Sequence, residues 1–414
     1  MTVTTTAPGA LSADEAAGFR RRCIEFLDQH ATGIHLHGDP DPRAEKRLRA
    51  AQAFQQALAE AGLAGLTYPV EYGGAGLTKE HDKIWRACYA QYPFMTSELT
   101  ISHGMCLPML AEYGTDAQKQ RYLADNIAAR TVWCQMFSEP GAGSDVASLQ
   151  SRAVLDGEEW VLNGQKVWTT LAHLCEYGIV IARTDPDQPK HAGISMFIVD
   201  MRSPGVEIRP IHQVDGGLHF NEIFFTDVRI PAENLVGELN DGWRLATAML
   251  MYERVAIGGG GTDGVTHANA DALILEAEKR GILGDPVLRD DLMHLYIQES
   301  VKSMNSLRTR AELQAGKTPG PAGSLGKLQG TLVSYLARDL SMRVVGADSI
   351  AWGEEGGHRW STQAIRSMGS GIAGGTNEIQ KNIIGDRVLG LPREPSVDTK
   401  VPFKELRVGT QARD

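Results

Sequence analysis

Cysteine is scarce and scattered, with five in 414 residues (Cys23, Cys88, Cys106, Cys134 and Cys175) and no C-x-x-C pair. Such spacing spells neither a zinc knuckle nor a thioredoxin-like site. It predicts buried, reduced thiols of the kind a reducing cytosol maintains. Long apolar runs are missing too: no uninterrupted stretch reaches the roughly 18 residues that would predict a membrane-spanning helix. Basic charge is in deficit, with 41 Lys and Arg against 51 Asp and Glu and a net charge of -10. That field repels phosphate backbones, so nucleic acid and anionic membrane surfaces are poor partners. The Thr- and Ala-rich start has neither a basic region nor an apolar core, and reads as a frayed arm rather than a signal peptide. The expected location is the cytoplasm. No internal repeat is present, and His35 and His37 have no third ligand nearby, so no metal site is expected.

Hydrophobic residues make up 42% and charged residues 22%, a globular composition that excludes wholesale disorder. The length suits two to three domains with a large core. The first third has helical character. Ser12 with Glu15, and Thr115 with Gln118, form capping boxes at two helix starts. A further helix is predicted over residues 43–61, stopping at Gly62, and an apolar helical pair over 78–109, interrupted at Pro93. From Trp133 to about Asn240, short β-rich runs alternate with turn signals, and Asp156-Gly157 and Asn163-Gly164 both predict tight hairpin turns. Further strands are predicted at 178–182, 194–200, 206–209 and 222–229. Helical periodicity returns at 243–257, 265–279, 286–313, 326–352, 361–368 and 376–389, with a Gly- and Pro-bearing loop at 315–324. The expected class is α+β: an N-terminal helical domain (12–132), a middle β domain (133–240) and a C-terminal helical domain (241–392), with flexible tails at 1–11 and 393–414.

Three glycine-rich segments invite a ligand. Residues 259–264 and 369–374 both read G-x-G-x-x-G, but each follows a helical stretch, whereas a dinucleotide fingerprint needs a preceding strand. The third, Ser138-Glu139-Pro140-Gly141-Ala142-Gly143-Ser144-Asp145, lacks the Gly-Lys-Ser/Thr of a P-loop. Its small residues let backbone amides converge on an anion, with Ser144 adding a hydroxyl. By residue type alone, an ordinary interdomain loop is an equal alternative.

That segment, preceded by Met136-Phe137, resembles the first signature of the acyl-CoA dehydrogenase family. Asn163-Gly164-Gln165-Lys166-Val167-Trp168-Thr169-Thr170 follows at the family's interval, and Gly374-Gly375-Thr376-Asn377-Glu378-Ile379-Gln380 and Arg387-Val388-Leu389-Gly390-Leu391-Pro392 match its C-terminal helix. The resemblance spans about residues 12–392 and is of the actinobacterial type. It implies an N-terminal helical domain, a β-barrel-like middle domain, a C-terminal four-helix bundle and an FAD cofactor. By the same resemblance, Met136, Phe137 and Ser138 border the isoalloxazine ring. Gly143 and Ser144 lie toward the ribityl and pyrophosphate portion and the acyl-CoA. Trp168 packs on the flavin, the Thr170 hydroxyl reaches N5, and Thr376, Asn377 and Glu378 touch the nucleotide half. Taken alone, Trp168 would be a core tryptophan on a strand.

The implied reaction removes a proton from Cα of an acyl thioester and a hydride from Cβ to flavin N5, giving a trans-2-enoyl-CoA. It needs a carboxylate base in a dry pocket and donors for the developing enolate. Many family members carry the base where this chain has Gly374. The isovaleryl-CoA and some long-chain enzymes place it on an earlier helix, directly before an arginine, and here Tyr252-Glu253-Arg254 stands there. Glu253 is therefore the expected base. A solvated helical carboxylate is the plain alternative, disfavoured by the apolar neighbours Met249, Leu250, Met251, Val255 and Ile257. The oxyanion site implied by the resemblance is the backbone N–H at Gly374 with the ribityl 2′-hydroxyl, and Arg254, Gly375 and Ser144 fall on the substrate side. Four glycines at 258–261 are too costly for a helix interior and predict a break or the close passage of an acyl group.

Two family segments are absent. Residues 277–285 replace Arg-x-x-Phe-Gly, and residues 349–358 replace Gln-x-x-Gly-Gly-x-Gly-Phe, which puts FAD contacts across a dimer in doubt. Expected partners are the acyl-CoA, an electron-transfer flavoprotein as oxidant, and further subunits in a homodimer or homotetramer. The alternative is the base-bearing subunit of a heterotetramer. The setting implied is fatty acid and lipid metabolism, with the acyl group left open. Two rival functions are a flavin monooxygenase or oxidase on the same fold, and a non-catalytic binding protein. The chain lacks the extra C-terminal region of the membrane-bound very-long-chain members.

Overall fold

Capping chemistry starts the helices where the sequence placed it. The structure, a computed structural model, describes residues 11–31, 44–92, 97–258, 268–314, 321–350, 357–396 and 398–406. At α1 (Ala13–His30), the Glu15 N–H donates to Ser12 Oγ at 3.2 Å and the Ser12 N–H donates back to the Glu15 carboxylate at 2.9 Å. Thr115 and Gln118 repeat the exchange at α5 (Asp116–Ile127), at 3.1 and 3.2 Å. Each such cap contributes about 1 kcal/mol. Between them run α2 (Glu45–Glu60), α3 (Lys79–Tyr89) and α4 (Leu107–Tyr113). Helical spacing aims Phe19, Cys23, Phe26 and Leu27 of α1, and Leu48, Ala51, Phe54 and Leu58 of α2, into the interior. All five cysteines are buried and free, as expected.

The chain divides into two units: residues 1–212, 217–249 and 398–414 form the first, and 213–216 and 250–397 the second. The first therefore joins the N-terminal helices to the β module. Its strands are β1 (Trp133–Met136), β2 (Arg152–Asp156), β3 (Glu159–Thr170), β4 (Tyr177–Arg183), β5 (Ile194–Asp200), β6 (Val206–Pro210), β7 (Phe220–Pro231) and β8 (Leu235–Val236). They pair in the order β6-β7-β3-β2-β4-β5-β8, with β1 alongside β4 in parallel. Met136, Leu162, Val180, Phe197, Ile223 and Val228 lie in its core.

One turn reading is corrected. Asp156-Gly157 does close a hairpin, with Asp156 opposite Glu159 and Gly157 at φ +66°. Asn163-Gly164 closes nothing: β3 runs through it, with a register shift against β7 between Leu162 and Gly164. A Cβ on Gly164 would stand 2.3 Å from Ser151 Oγ, so glycine there permits close approach. Asn163 instead pins the β7 backbone, donating to Asp227 Oδ1 at 2.9 Å and accepting from the Asp227 N–H at 3.0 Å.

The second unit is helical. α6 (Gly242–Gly258) begins in the first unit and continues here, followed by α7 (Ala270–Lys279), α8 (Pro286–Gln314), α9 (Ala322–Val345), α10 (Gly357–Ser367) and α11 (Asn377–Ile383). α9 packs on α7, α8, α10 and α11 around Leu273, Leu288, Leu292, Leu295, Leu340 and Trp360. The helix predicted over 326–352 ends at Val345 and continues as a 3-10 turn (Gly346–Ile350). The predicted loop over 315–324 is overtaken by α9 from Ala322. His35, His37 and the glycine run 259–264 lie outside the described residues.

The tail is a second correction. Flexibility was expected from residue 393, yet 398–406 dock on the β4–β5 connection, where the Phe403 N–H donates to the Gln188 carbonyl at 2.9 Å and the Lys404 N–H to that of Pro186 at 3.0 Å. The reason is Phe403, whose ring is buried with the Arg183 guanidinium 3.6 Å from its centroid.

Candidate active site

β1 carries Met136 into the core, and the chain then leaves the sheet through Phe137 to Asp145. Glu139 and Ala142 exchange two backbone hydrogen bonds, at 3.0 and 3.1 Å, around exposed Pro140 and Gly141. Beneath this turn lies a buried ion pair. Lys166 Nζ, on β3, donates to Glu139 Oε1 at 2.8 Å and to the Phe137 carbonyl at 3.0 Å. The Glu139 carboxylate also accepts from the N–H groups of Gln150 (2.5 Å) and Ser151 (3.0 Å). Burial works against its charge, but the Lys166 ammonium and these donors outweigh that and hold its pKa below the usual carboxylate value. Burial likewise pushes Lys166 down, with Glu139 opposing.

The same β3 segment delivers Trp168. The Val167 N–H donates to the Ser138 carbonyl at 2.9 Å, so two sequence motifs are stitched together across 29 residues. Trp168 sits at φ +63° on a second β3–β7 irregularity, between Lys166 and Thr169. A bulky residue in left-handed backbone is a genuine outlier, and such outliers gather at functional sites. Its indole is 59% exposed, edge-on to Phe220 with ring centroids 6.1 Å apart. Residue type alone would place a strand tryptophan in the core; here it is exposed. Thr170 is half-buried beside it, and buried Thr169 Oγ1 has no hydrogen-bond partner among the described residues. Gly143 and Ser144 are exposed, and a Cβ placed on Gly141 or Gly143 would meet nothing within 4 Å. An open face lined by a presented aromatic and bare backbone fits a flat, anionic cofactor such as FAD.

In the second unit, Gly374 and Gly375 stand at φ +67° and +85°, directly before Thr376, which caps α11 by accepting from the Ile379 N–H at 3.3 Å. Buried Gln380 spans this turn, its Nε2 donating to the Gly374 carbonyl at 2.8 Å and to that of Gly375 at 3.4 Å. Among the described residues, Asn377 Oδ1 and Gln380 Oε1 are buried without hydrogen-bond partners. Glu378 is exposed. Glu253 and Arg254 fall on α6, and their side chains lie outside the described residues.

Sequence reading missed the supporting residues. Lys166 had a signal, because Trp160, Leu162 and Lys166 share one parity on β3 and a charge there must be buried. Gln380 had none. His103 donates through Nε2 to the Asn126 carbonyl at 2.8 Å, and burial pushes its pKa down to about 4. Asn126 in turn donates to Ser102 Oγ at 2.7 Å, and that oxygen accepts the Trp133 N–H at 3.2 Å, tying the helices to β1. Among the described residues, no helix is long and apolar enough to cross a membrane, and no cluster of three metal-ligating side chains occurs.

Comparison with known proteins accounts for nearly all of the chain. Profiles of the acyl-CoA dehydrogenase N-terminal, middle and C-terminal domains match residues 13–130, 134–228 and 240–389. The acyl-CoA dehydrogenase IpdE1 of Mycobacterium tuberculosis is 38% identical over 352 residues, covering 85% of this chain and 91% of that protein. Among solved structures, the Tcur3481-Tcur3483 steroid ACAD superposes with a TM-score of 0.76 at 26% identity, over 93% of this chain and 99% of its own. The ChsE4-ChsE5 complex from Mycobacterium tuberculosis superposes with a TM-score of 0.73 at 28% identity, over 93% and 99%. With three domain profiles in order and a relative of this identity along most of its length, the chain belongs to the acyl-CoA dehydrogenase family of oxidoreductases.

Proposed function

We propose that this chain catalyses FAD-dependent α,β-dehydrogenation of an acyl-CoA to the trans-2-enoyl-CoA, with Glu253 removing the α-proton. The observation that carries the reading is Trp168, presented to solvent at φ +63° and joined to the signature loop through Ser138. FAD, when bound, supplies the two-electron acceptor for the Cα–Cβ bond. The loop from Phe137 to Ser144 and the face of Trp168 would hold and orient it, Thr170 would offer a hydroxyl, and Thr376, Asn377 and Glu378 would serve its nucleotide portion. The Gly374 N–H would receive the thioester carbonyl as negative charge develops, and Gly375 and Ser144 are each assigned to the substrate by the family resemblance. A preorganised donor of this kind lowers the barrier by about 3 kcal/mol. Arg254 assists in placing substrate.

The relative that is a steroid ACAD supports a polycyclic acyl-CoA as the first substrate class to test. An electron-transfer flavoprotein is the proposed oxidant and the cytoplasm the proposed location. α8 exposes Met293, Tyr296, Ile297, Met304 and Leu307 at helical spacing, which supports assembly through this face with a further subunit of the family.

The test is the visible spectrum of the purified protein during anaerobic addition of steroid-side-chain, branched and straight-chain acyl-CoAs. A flavin band bleached by one class is expected. In air, oxygen consumption with that acyl-CoA in place of electron delivery to a transfer flavoprotein would favour oxidase chemistry instead. In Glu253→Gln, the flavin should be retained while turnover falls about 10³-fold; near-normal turnover would remove Glu253 as the base.

A further inference from the structure

Past residue 397 the chain returns to the first unit, and its anchorage there converges on one lysine. Lys190, in the β4–β5 connection, is only 6% exposed. Its ammonium donates to Asp145 Oδ1 and Oδ2 at 3.1 and 2.9 Å, and to Asp398 Oδ2 at 2.6 Å. Burial disfavours the charge, but the hydrogen bonds to Asp398 and Asp145 outweigh it and raise the pKa above that of an ordinary lysine. The platform around Lys190 is firm. Arg183 donates to the Lys190 and Ala147 carbonyls at 2.7 Å each while covering Phe403, and Lys404 pairs with Asp187 at 2.5 Å.

Asp145 closes the Gly-rich loop, directly after Gly143 and Ser144, and it is held from its own side by the Ser148 hydroxyl at 2.6 Å. A lysine stem is flexible, and an ammonium with one carboxylate can swing about it. A second carboxylate from the C-terminal segment removes that freedom. We propose that Asp398 is a positioning residue of the reaction: by holding Lys190 it fixes Asp145, and with it the Gly143–Ser144 backbone that receives the acyl-CoA. The inference rests on the proposed function, in which this loop serves FAD and its last residue, Ser144, also lies on the substrate side. It assigns a role in substrate placement to a segment downstream of the matched C-terminal domain, which ends at residue 389.

The experiment uses the full-length holoenzyme carrying Asp398→Ala, with Asp398→Glu as the conservative control. In Asp398→Ala, KM for the best acyl-CoA is expected to rise about fivefold with kcat within about twofold, and Asp398→Glu to return both toward wild type. Amide hydrogen exchange at residues 141–145 should accelerate in the alanine variant alone. Phe403→Ala, which loosens the segment without removing a carboxylate from Lys190, should move both readouts in the same direction and serves if Asp398→Ala folds poorly. Unchanged KM with unchanged exchange would overturn the proposal, as would a loss of kcat at constant KM. If no acyl-CoA bleaches the wild-type flavin, the proposed function fails by itself. The exchange rate at 141–145 then decides positioning alone, and an unchanged rate rejects it.

Discussion

The loop after β1 and the turn before α11 both depend on paired glycines, yet for opposite reasons. Gly141 and Gly143 do not adopt positive φ, and a Cβ there would meet no atom of the described residues within 4 Å beyond its chain neighbours, so what they provide is room. Gly374 and Gly375 are required by the backbone itself, at φ +67° and +85°. The means of restraint differ as well. The first loop is held by ionic groups, Lys166 with Glu139 at one end and Lys190 with Asp145 at the other. The turn is held by one neutral amide, Gln380. A segment with little regular structure of its own needs fixed charges at its ends, whereas a turn whose conformation glycine already favours needs only a tie across its carbonyls.

The largest expected effect breaks the ionic side. Lys166→Met leaves the Glu139 carboxylate buried without its cation and should cost about 3–5 kcal/mol in urea unfolding. Adding Glu139→Leu should recover more than half of that, and failure to recover would show that Lys166 acts mainly through the Phe137 carbonyl.

Acid should weaken the first unit through a neutral group. His103 has a folded pKa of about 4, below its ordinary 6.5, so its contribution is intact above 6.5 and is lost as pH falls toward 4. The lost stability amounts to about 3 kcal/mol. Urea titrations at several pH values should reveal this slope, and His103→Gln should flatten it.

A smaller effect separates the two uses of glycine. Gly375→Ala would enforce left-handed backbone on a side chain whose Cβ lies 2.7 Å from Gln380 Nε2, and should cost about 1–2 kcal/mol. Gly141→Ala should change stability by less than about 0.5 kcal/mol. Equal losses in the two would erase the distinction. A small effect on stability is expected at Trp168 as well. Replacement by glycine relieves its φ while removing an exposed ring, so stability should stay within about 1 kcal/mol as activity falls. A much larger loss on thermal melting would mean that packing, rather than ligand binding, retains the tryptophan.

Much of this architecture was legible because local signals and tertiary structure agree. Both capping boxes open helices, β5 spans Ile194–Asp200 as read, and the Gly-rich segment lies against Trp168's strand. Where reading failed, a long-range contact overrode a local preference. Asn163-Gly164 has the composition of a turn, but Ser151 and Asp227, remote in sequence, convert it to an irregularity within a continuous strand. Trp168 was singled out by the motif around it and not by residue type, which alone favours the core; its backbone angle has no signal in the residue itself. Around the site, the motifs named the face but not its supports. Lys190, Asp398 and Gln380 act through contacts that span up to 208 residues of sequence and leave no local pattern.

That span has a consequence for biosynthesis. A ribosome adding about 5–20 residues per second makes Asp398 some 10–40 s after Lys190. Throughout this interval the nascent β module can fold with Lys190 facing a single carboxylate, its loop formed but incompletely restrained. The polypeptide thus meets its own finishing clasp late in translation, and a stalled or truncated nascent chain would carry a β module that is folded yet unready for substrate.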